Sequence, residues 1–195
     1  MPHEVNSATW SKNGANILFT ANTGVRTELF SVSVKGKKLS QLTKGDHSLR
    51  NFRYHHGLDS FVFGISDQSN AGDMHILENG RRSKPQKVTT VYDYLGQQFR
   101  LPKQEAIQWK GADGVMVEGL LYYPLDYKQG TAYPLCVQTH GGPASSDKFG
   151  FGKWNRYVEV LTSRGWMVFK PNYRGSTGYG DDGSDYRPRF HWVLH

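Results

Sequence analysis

Two short stretches of the 195-residue chain carry residue types arranged for chemistry. One is His140-Gly141-Gly142-Pro143, directly after the apolar run Tyr133 to Thr139. The other is Asn172-Tyr173-Arg174-Gly175-Ser176-Thr177-Gly178-Tyr179-Gly180, after Trp166-Met167-Val168-Phe169-Lys170. Two consecutive glycines leave backbone N–H groups unshielded by any Cβ. Such groups can converge on an oxygen that gains charge during acyl transfer, where losing one donor costs roughly 3–4 kcal/mol of barrier. His140 stands beside this turn with no nucleophile in the neighbouring sequence, so it reads as an orienting or packing residue rather than a catalytic base.

The elements around these loops read as a strand-helix-strand unit. Tyr133-Pro134-Leu135-Cys136-Val137-Gln138-Thr139 is a short continuous apolar run of the kind found in strands buried on both faces. Trp154 to Ser163 places Trp154, Tyr157, Val158 and Leu161 on one helical face, and Gly165 follows as its C-cap. Trp166 to Lys170 is the next strand, so both glycine-bearing loops lie at strand carboxyl ends, the edge where open α/β sheets place their sites. Upstream, Ala106 to Ala112 and Val115 to Tyr123 flank Asp113-Gly114, a hairpin signal.

The first 100 residues obey a different grammar of short strands and turns. Trp10-Ser11-Lys12-Asn13-Gly14, Asn16 to Thr20 and Glu28 to Val32 are followed 44 positions later by a related pattern, with Tyr54 for Trp10, Gly57 for Asn13 and Phe61-Val62-Phe63 for Ile17-Leu18-Phe19. Asp73 to Leu77 is the partner strand. This spacing suits one four-stranded propeller blade per repeat, and a plain antiparallel sheet is the alternative. Two blades cannot close a ring, so the propeller reading expects further blades on the amino-terminal side.

Composition narrows the function classes. The 26 aromatic residues (11 Tyr, 10 Phe, 5 Trp) and 22 Gly favour strands and tight turns. The net charge of +7 is spread along the chain, and the densest basic run, Lys35, Lys37 and Lys38 around Gly36, reads as a solvated hairpin turn, so nucleic acid is not implied. Cys136 is the only cysteine, excluding a disulfide or cysteine-based metal site within the chain, and it reads as a buried strand thiol. His55-His56 beside a turn reads as solvent-facing, and no metal-ligand spacing or organic cofactor signature is present. No signal-peptide pattern opens the chain and no run approaches the ~18 apolar residues of a membrane helix, so a soluble, cytoplasmic protein is expected.

Taken together, the blade-like repeat, the Asp113-Gly114 hairpin, the His140-Gly141-Gly142-Pro143 loop and the Asn172 to Gly180 loop resemble the prolyl oligopeptidase family of serine peptidases, especially its acylaminoacyl-peptidase and dipeptidyl-peptidase branches. The resemblance covers nearly the whole chain up to Gly180. It implies a partial β-propeller of about two blades over residues 1–102, followed over 103–195 by the amino-terminal part of an α/β-hydrolase domain. It also implies cleavage of short peptides by a Ser, Asp, His triad. Gly141 and Gly142 match the oxyanion loop. His140 matches a position that some branches fill with a tyrosine. Arg174 and Tyr179 match a loop at the site's rim and carry no defined role.

The family's nucleophile elbow, G-x-S-x-G, is absent from these 195 residues. Ser176 fails because Arg174 holds the first glycine position, and Ser184 fails likewise. After Gly180 the family continues into a helix, whereas Asp181 to His195 contains Pro188, and His191 and His195 have no strands to position them as a triad histidine. The expectation is therefore a truncated peptidase fragment, inactive alone and of undetermined oligomeric state. The alternatives are a non-catalytic propeller-type peptide-binding or scaffold protein and an esterase fragment. Against the latter, lipase-type loops carry glycine where Pro143 stands.

Overall fold

The computed structural model describes residues 4–36, 38–79, 84–111, 114–142, 145–151 and 157–180. Two sets of four strands fill the first half: β1 (Glu4–Trp10), β2 (Asn16–Thr23), β3 (Arg26–Ser33) and β4 (Leu39–Gln41), then β5 (Ser48–His55), β6 (Ser60–Ser66), β7 (Ala71–Glu78) and β8 (Gln86–Lys87). Within each set every strand pairs antiparallel with the next. A single parallel bridge, Thr27 to Ser48, joins the sets. The second set starts its first three strands at 48, 60 and 71, against 4, 16 and 26 in the first. The repeat seen in the sequence is thus a repeat of two four-stranded units, consistent with propeller-like blades, joined in one eight-stranded sheet.

The blades pack on each other through Leu18, Leu29, Leu49, Phe52, Phe61, Phe63 and Leu77. Phe19 and Phe30, stacked at 5.6 Å, form a separate cluster with Ala21. Successive strand residues face opposite sides, so burying both Leu18 and Phe19 produces the unbroken apolar run in β2. Tyr54 is half-buried and its hydroxyl, 3.0 Å from the Lys12 N–H it accepts, also donates to Asp59. Its counterpart Trp10 is 54% exposed. The Lys35–Gly36 turn and His55-His56 are exposed as read; Lys37 lies outside the described residues.

Each blade also carries a buried acid at matching positions. In β3, Glu28 accepts from the Thr43 hydroxyl (2.6 Å) and the Gly45 N–H (2.9 Å), while Thr43 Oγ1 accepts the Leu29 N–H at 2.9 Å. In β7, Asp73 accepts from the Thr89 hydroxyl (2.7 Å) and the Val91 N–H (2.8 Å), while Thr89 Oγ1 accepts the Met74 N–H at 2.9 Å. The same three-way latch thus fastens the segment that leaves each blade. Burial opposes ionisation of Asp73, but the donors Asn70, Thr89, Lys87 and the Tyr92 N–H outweigh it and hold its carboxyl below the usual range.

The short helix α1 (Asp93–Gln98) leads to a second sheet of β9 (Gln104–Lys110), β10 (Met116–Tyr122), β11 (Leu135–Val137) and β12 (Met167–Asn172) in the order β11-β12-β10-β9. The hairpin β9–β10 turns through Gly114 at φ +80°; Asp113 lies outside the described residues. β11 and β12 are parallel, linked through α2 (Val158–Ser163). Val158 and Leu161 face the core, and Gly165, just past the C-cap Arg164, has φ +82°. The amino-terminal part expected for this helix, including Trp154, lies outside the described residues.

One burial expectation is corrected. β11 is not covered on both faces: it is the edge of this sheet, and Leu135 and Val137 are 51% and 56% exposed. Cys136 is accordingly half-buried rather than fully enclosed. Its continuous apolar run reflects two faces that are not both occupied among the described residues.

Two contacts among the described residues fasten the blades to the second sheet most extensively. The two-residue turn between β2 and β3 puts Gly24 at φ +60° in the first central position, the II′ arrangement, and thrusts Val25 into the cluster of Leu120, Tyr122, Phe149, Val158 and Val168. The segment Phe149-Gly150-Phe151 lies between both blades: Phe149 N–H donates to Val25 O (2.9 Å), Ser48 Oγ to Phe149 O (3.0 Å), Arg50 Nη2 to Phe151 O (2.7 Å) and Phe151 N–H to Ser66 Oγ (3.0 Å). Only glycine fits at 150, because a Cβ would stand 2.3 Å from Ser66 Oγ at φ +102°.

Candidate functional site

Because β11 and β12 are parallel neighbours, their carboxyl ends release two loops on one edge of the sheet. The first carries His140, Gly141 and Gly142, and the second runs from Tyr173 to Gly180. The structure interlocks them. The His140 ring stacks on Tyr173 with centroids 4.4 Å apart and planes 19° from parallel. Its Nε2 lies 2.8 Å from Ser176 Oγ, its Nδ1 lies 3.0 Å from Gly141 O, and the Tyr173 hydroxyl donates to His140 O at 2.7 Å. The Ser176 hydroxyl donates to Tyr173 O at 2.5 Å.

The two glycines are exposed. Gly142 has φ +153°, a conformation that favours glycine, and a Cβ on Gly141 would meet nothing within 4 Å. Among the described residues neither N–H has a protein acceptor. Pro143 lies outside the described residues. Just beyond it the chain is tied to the second loop again, Thr177 N–H donating to Ser145 O at 2.9 Å and Ser146 Oγ sharing a hydrogen bond with Thr177 Oγ1 at 2.8 Å.

The far end of the second loop faces elsewhere. The Tyr179 hydroxyl donates to Glu118 Oε2 (3.1 Å) and accepts from Asn172 Nδ2 (3.0 Å), and burial, with Glu118 alongside, pushes its phenol above the ordinary range. Asn172, buried at the end of β12, also accepts the Asp147 N–H at 2.8 Å and donates to Asp147 O at 3.0 Å. Arg174 is half-buried in the same loop. Of the residues singled out in the sequence, His140, Gly141 and Gly142 therefore form one unit, while the phenol of Tyr179 is committed to Glu118.

Sequence reasoning missed three contributors. Tyr173 and Ser176 were visible as loop residues but not as partners of His140; adjacency of two parallel strands was the signal that would have joined them. Glu118 is a carboxylate within the apolar strand run Val115 to Tyr123, and a buried charge needs partners. It accepts from the Val25 N–H (3.0 Å) and Gln108 Nε2 (3.3 Å), with Arg26 Nη1 at 3.6 Å. No group of three or more His, Cys, Asp or Glu side chains converges to hold a metal among the described residues. No helix among them is long and apolar enough to cross a membrane.

The chain is 24% identical over 173 residues to the uncharacterised peptidase YuxL of Bacillus subtilis, covering 89% of this chain and 25% of that one. It is 27% identical over 184 residues to the acylamino-acid-releasing enzyme of Sus scrofa, covering 89% and 24%. Its homologues are serine peptidases of the prolyl oligopeptidase family. No family model matches the chain. Among solved structures, the acylaminoacyl peptidase of Pyrococcus horikoshii superposes with a TM-score of 0.75 at 20% identity, covering 93% of this chain and 27% of that one. An acylaminoacyl peptidase bound to Z-Gly-Gly-Phe-chloromethyl ketone gives 0.74 at 18%. The chain spans about a quarter of the length of the prolyl oligopeptidase relatives just described.

Proposed function

We propose that this chain is the segment of a serine peptidase acting on short peptides that joins the propeller, residues 1–102, to the beginning of an α/β-hydrolase domain at residue 103, and that it supplies the oxyanion loop. The observation that carries the reading is the pair of N–H groups at Gly141 and Gly142 that have no acceptor among the described residues, held at a parallel strand's carboxyl end by the His140, Tyr173 and Ser176 contacts. Donors fixed before the reaction stabilise a developing oxyanion without reorganising. His140 orients this loop through its ring, and Arg174 and Tyr179 belong to the loop at the rim. The exposed edge of β11 supports the same reading, since an uncovered apolar edge strand is a place for further strands to pair.

The 195-residue polypeptide alone is inactive in this reading, because a triad is required and no G-x-S-x-G elbow occurs in it. One observation favours a second reading. Ser176 Oγ at 2.8 Å from His140 Nε2 is nucleophile-to-base geometry, and with the proton on Nδ1 facing Gly141 O the ring could accept the serine proton. The shorter contact from Ser176 to Tyr173 O directs that proton to the carbonyl instead. A fluorophosphonate probe on the purified chain distinguishes the two. The expected result is no labelling and no hydrolysis of acylaminoacyl or dipeptidyl anilides, whereas labelling mapped to Ser176 would overturn the oxyanion reading in favour of a Ser-His dyad.

A further inference from the structure

The second loop touches two separate bodies of the molecule. At Tyr173, Ser176 and Thr177 it grips the His140 loop and the chain just beyond it. At Gly178 and Tyr179 it grips the first blade: Gly24 N–H donates to Gly178 O at 2.8 Å, and the Tyr179 hydroxyl and the Val25 N–H both donate to the same oxygen of Glu118. There is no slack at this contact. A Cβ on Gly24 would stand 2.1 Å from Glu118 Oε2, and one on Gly178 would stand 3.1 Å from Gly24 N. Glu118 is 6% exposed, so its hydrogen bonds are not in competition with bulk water.

We infer that Glu118 and Tyr179 are positioning residues that couple the turn of the first blade to the glycine loop. A displacement of the Gly24–Arg26 turn must move the shared carboxylate, then Tyr179 and Gly178, then the Ser176–Thr177 segment on which His140 rests. The blade thereby sets the aim of the Gly141 and Gly142 N–H groups. This deepens the oxyanion reading, but the coupling itself is a property of the hydrogen-bond chain and can be read without catalysis.

The test is amide exchange and NMR on the isotopically labelled 195-residue chain and two variants, Tyr179→Phe and Glu118→Gln. Tyr179→Phe keeps the ring and deletes only the hydroxyl. It is expected to raise exchange at Gly24 and Thr177, both hydrogen-bonded in the fold, by tenfold or more and to shift the Gly141 and Gly142 amide resonances, while Phe61 to Phe63 in the second blade stay unchanged. Glu118→Gln retains an acceptor oxygen and is expected to produce the same pattern at smaller size. Adding Tyr179→Phe to Glu118→Gln is expected to add less than it does alone, because the two act on one bond. If exchange at Thr177 changes by less than threefold, or the two glycine resonances do not move, the coupling is refuted. A uniform rise that includes Phe61 to Phe63 also refutes it, as a general loss of stability. Should Tyr179→Phe fail to fold, Glu118→Gln alone gives the same readings. Failure here leaves Ser176 unlabelled by fluorophosphonate, so it is distinguishable from failure of the oxyanion reading.

Discussion

Alanine at position 24 measures how tightly the first blade is seated. Gly24 has φ +60°, and placing an L-residue in that region costs about 1–2 kcal/mol. Its new Cβ would also stand 2.1 Å from Glu118 Oε2, so the carboxylate must leave the oxygen position that the Val25 N–H and the Tyr179 hydroxyl share. A hydrogen bond to a charged group contributes about 1.5–3 kcal/mol, so losing one brings the total to about 3–5 kcal/mol. Gly14 is the control: it has φ +66° with nothing within 4 Å of a Cβ, and alanine there should cost only the conformational part. In urea unfolding with an m value of about 2 kcal/mol per M, Gly24→Ala should lower the midpoint by about 1 M more than Gly14→Ala at equal m. Glu118→Ala should make the two glycine positions alike. Equal midpoints for the two single alanine variants would refute the close seating of the turn on Glu118.

Other consequences are open to measurement. Thr43→Val and Thr89→Val should each destabilise by about 1–3 kcal/mol, since each strips a donor from a buried carboxylate and an acceptor from a strand N–H; matched losses in thermal unfolding are expected if the latches are equivalent. Asp73 has a depressed folded-state pKa, so its contribution is complete above the ordinary carboxylate range and lost as pH falls below about 4 toward the folded value. Asp73→Asn should therefore flatten the acid limb of the stability profile, and an unchanged limb would contradict that. Gly150→Ala should destabilise by more than about 2 kcal/mol, because its Cβ meets both the hydroxyl and the backbone of Ser66.

The repeat was legible because blades are local. Each strand pairs with a neighbour a few residues away, so apolar patterning and turn residues give the middles of β2, β3, β6 and β7 and the 44-residue offset, whereas the more polar β1, β4, β5 and β8 left no such pattern. The glycine loop was legible because Gly141 and Gly142 carry a backbone signal. The partners of His140 were not, since Ser176 is 36 residues distant and its role depends on two strands being side by side. Glu118 was harder still: its donors come from a blade turn, a neighbouring strand and the second loop, which no single segment displays. β11 misled because apolar content reports that a strand can be covered, whereas its burial depends on what lies against it.

The Phe149–Phe151 segment has a consequence for how the chain reaches its fold. Its bonds to Ser48 and Arg50 each span 101 residues, and that to Ser66 spans 85. The hairpins within each blade close loops of only a few residues. Long loops must surrender more chain entropy before their contacts repay it, so the blades have the means to form early and this segment docks late. Contacts absent from the folding transition state act on the unfolding rate. Alanine at Gly150 should accordingly hasten unfolding while leaving the folding rate nearly untouched, which makes three residues between the blades the kinetic fastener of the whole molecule.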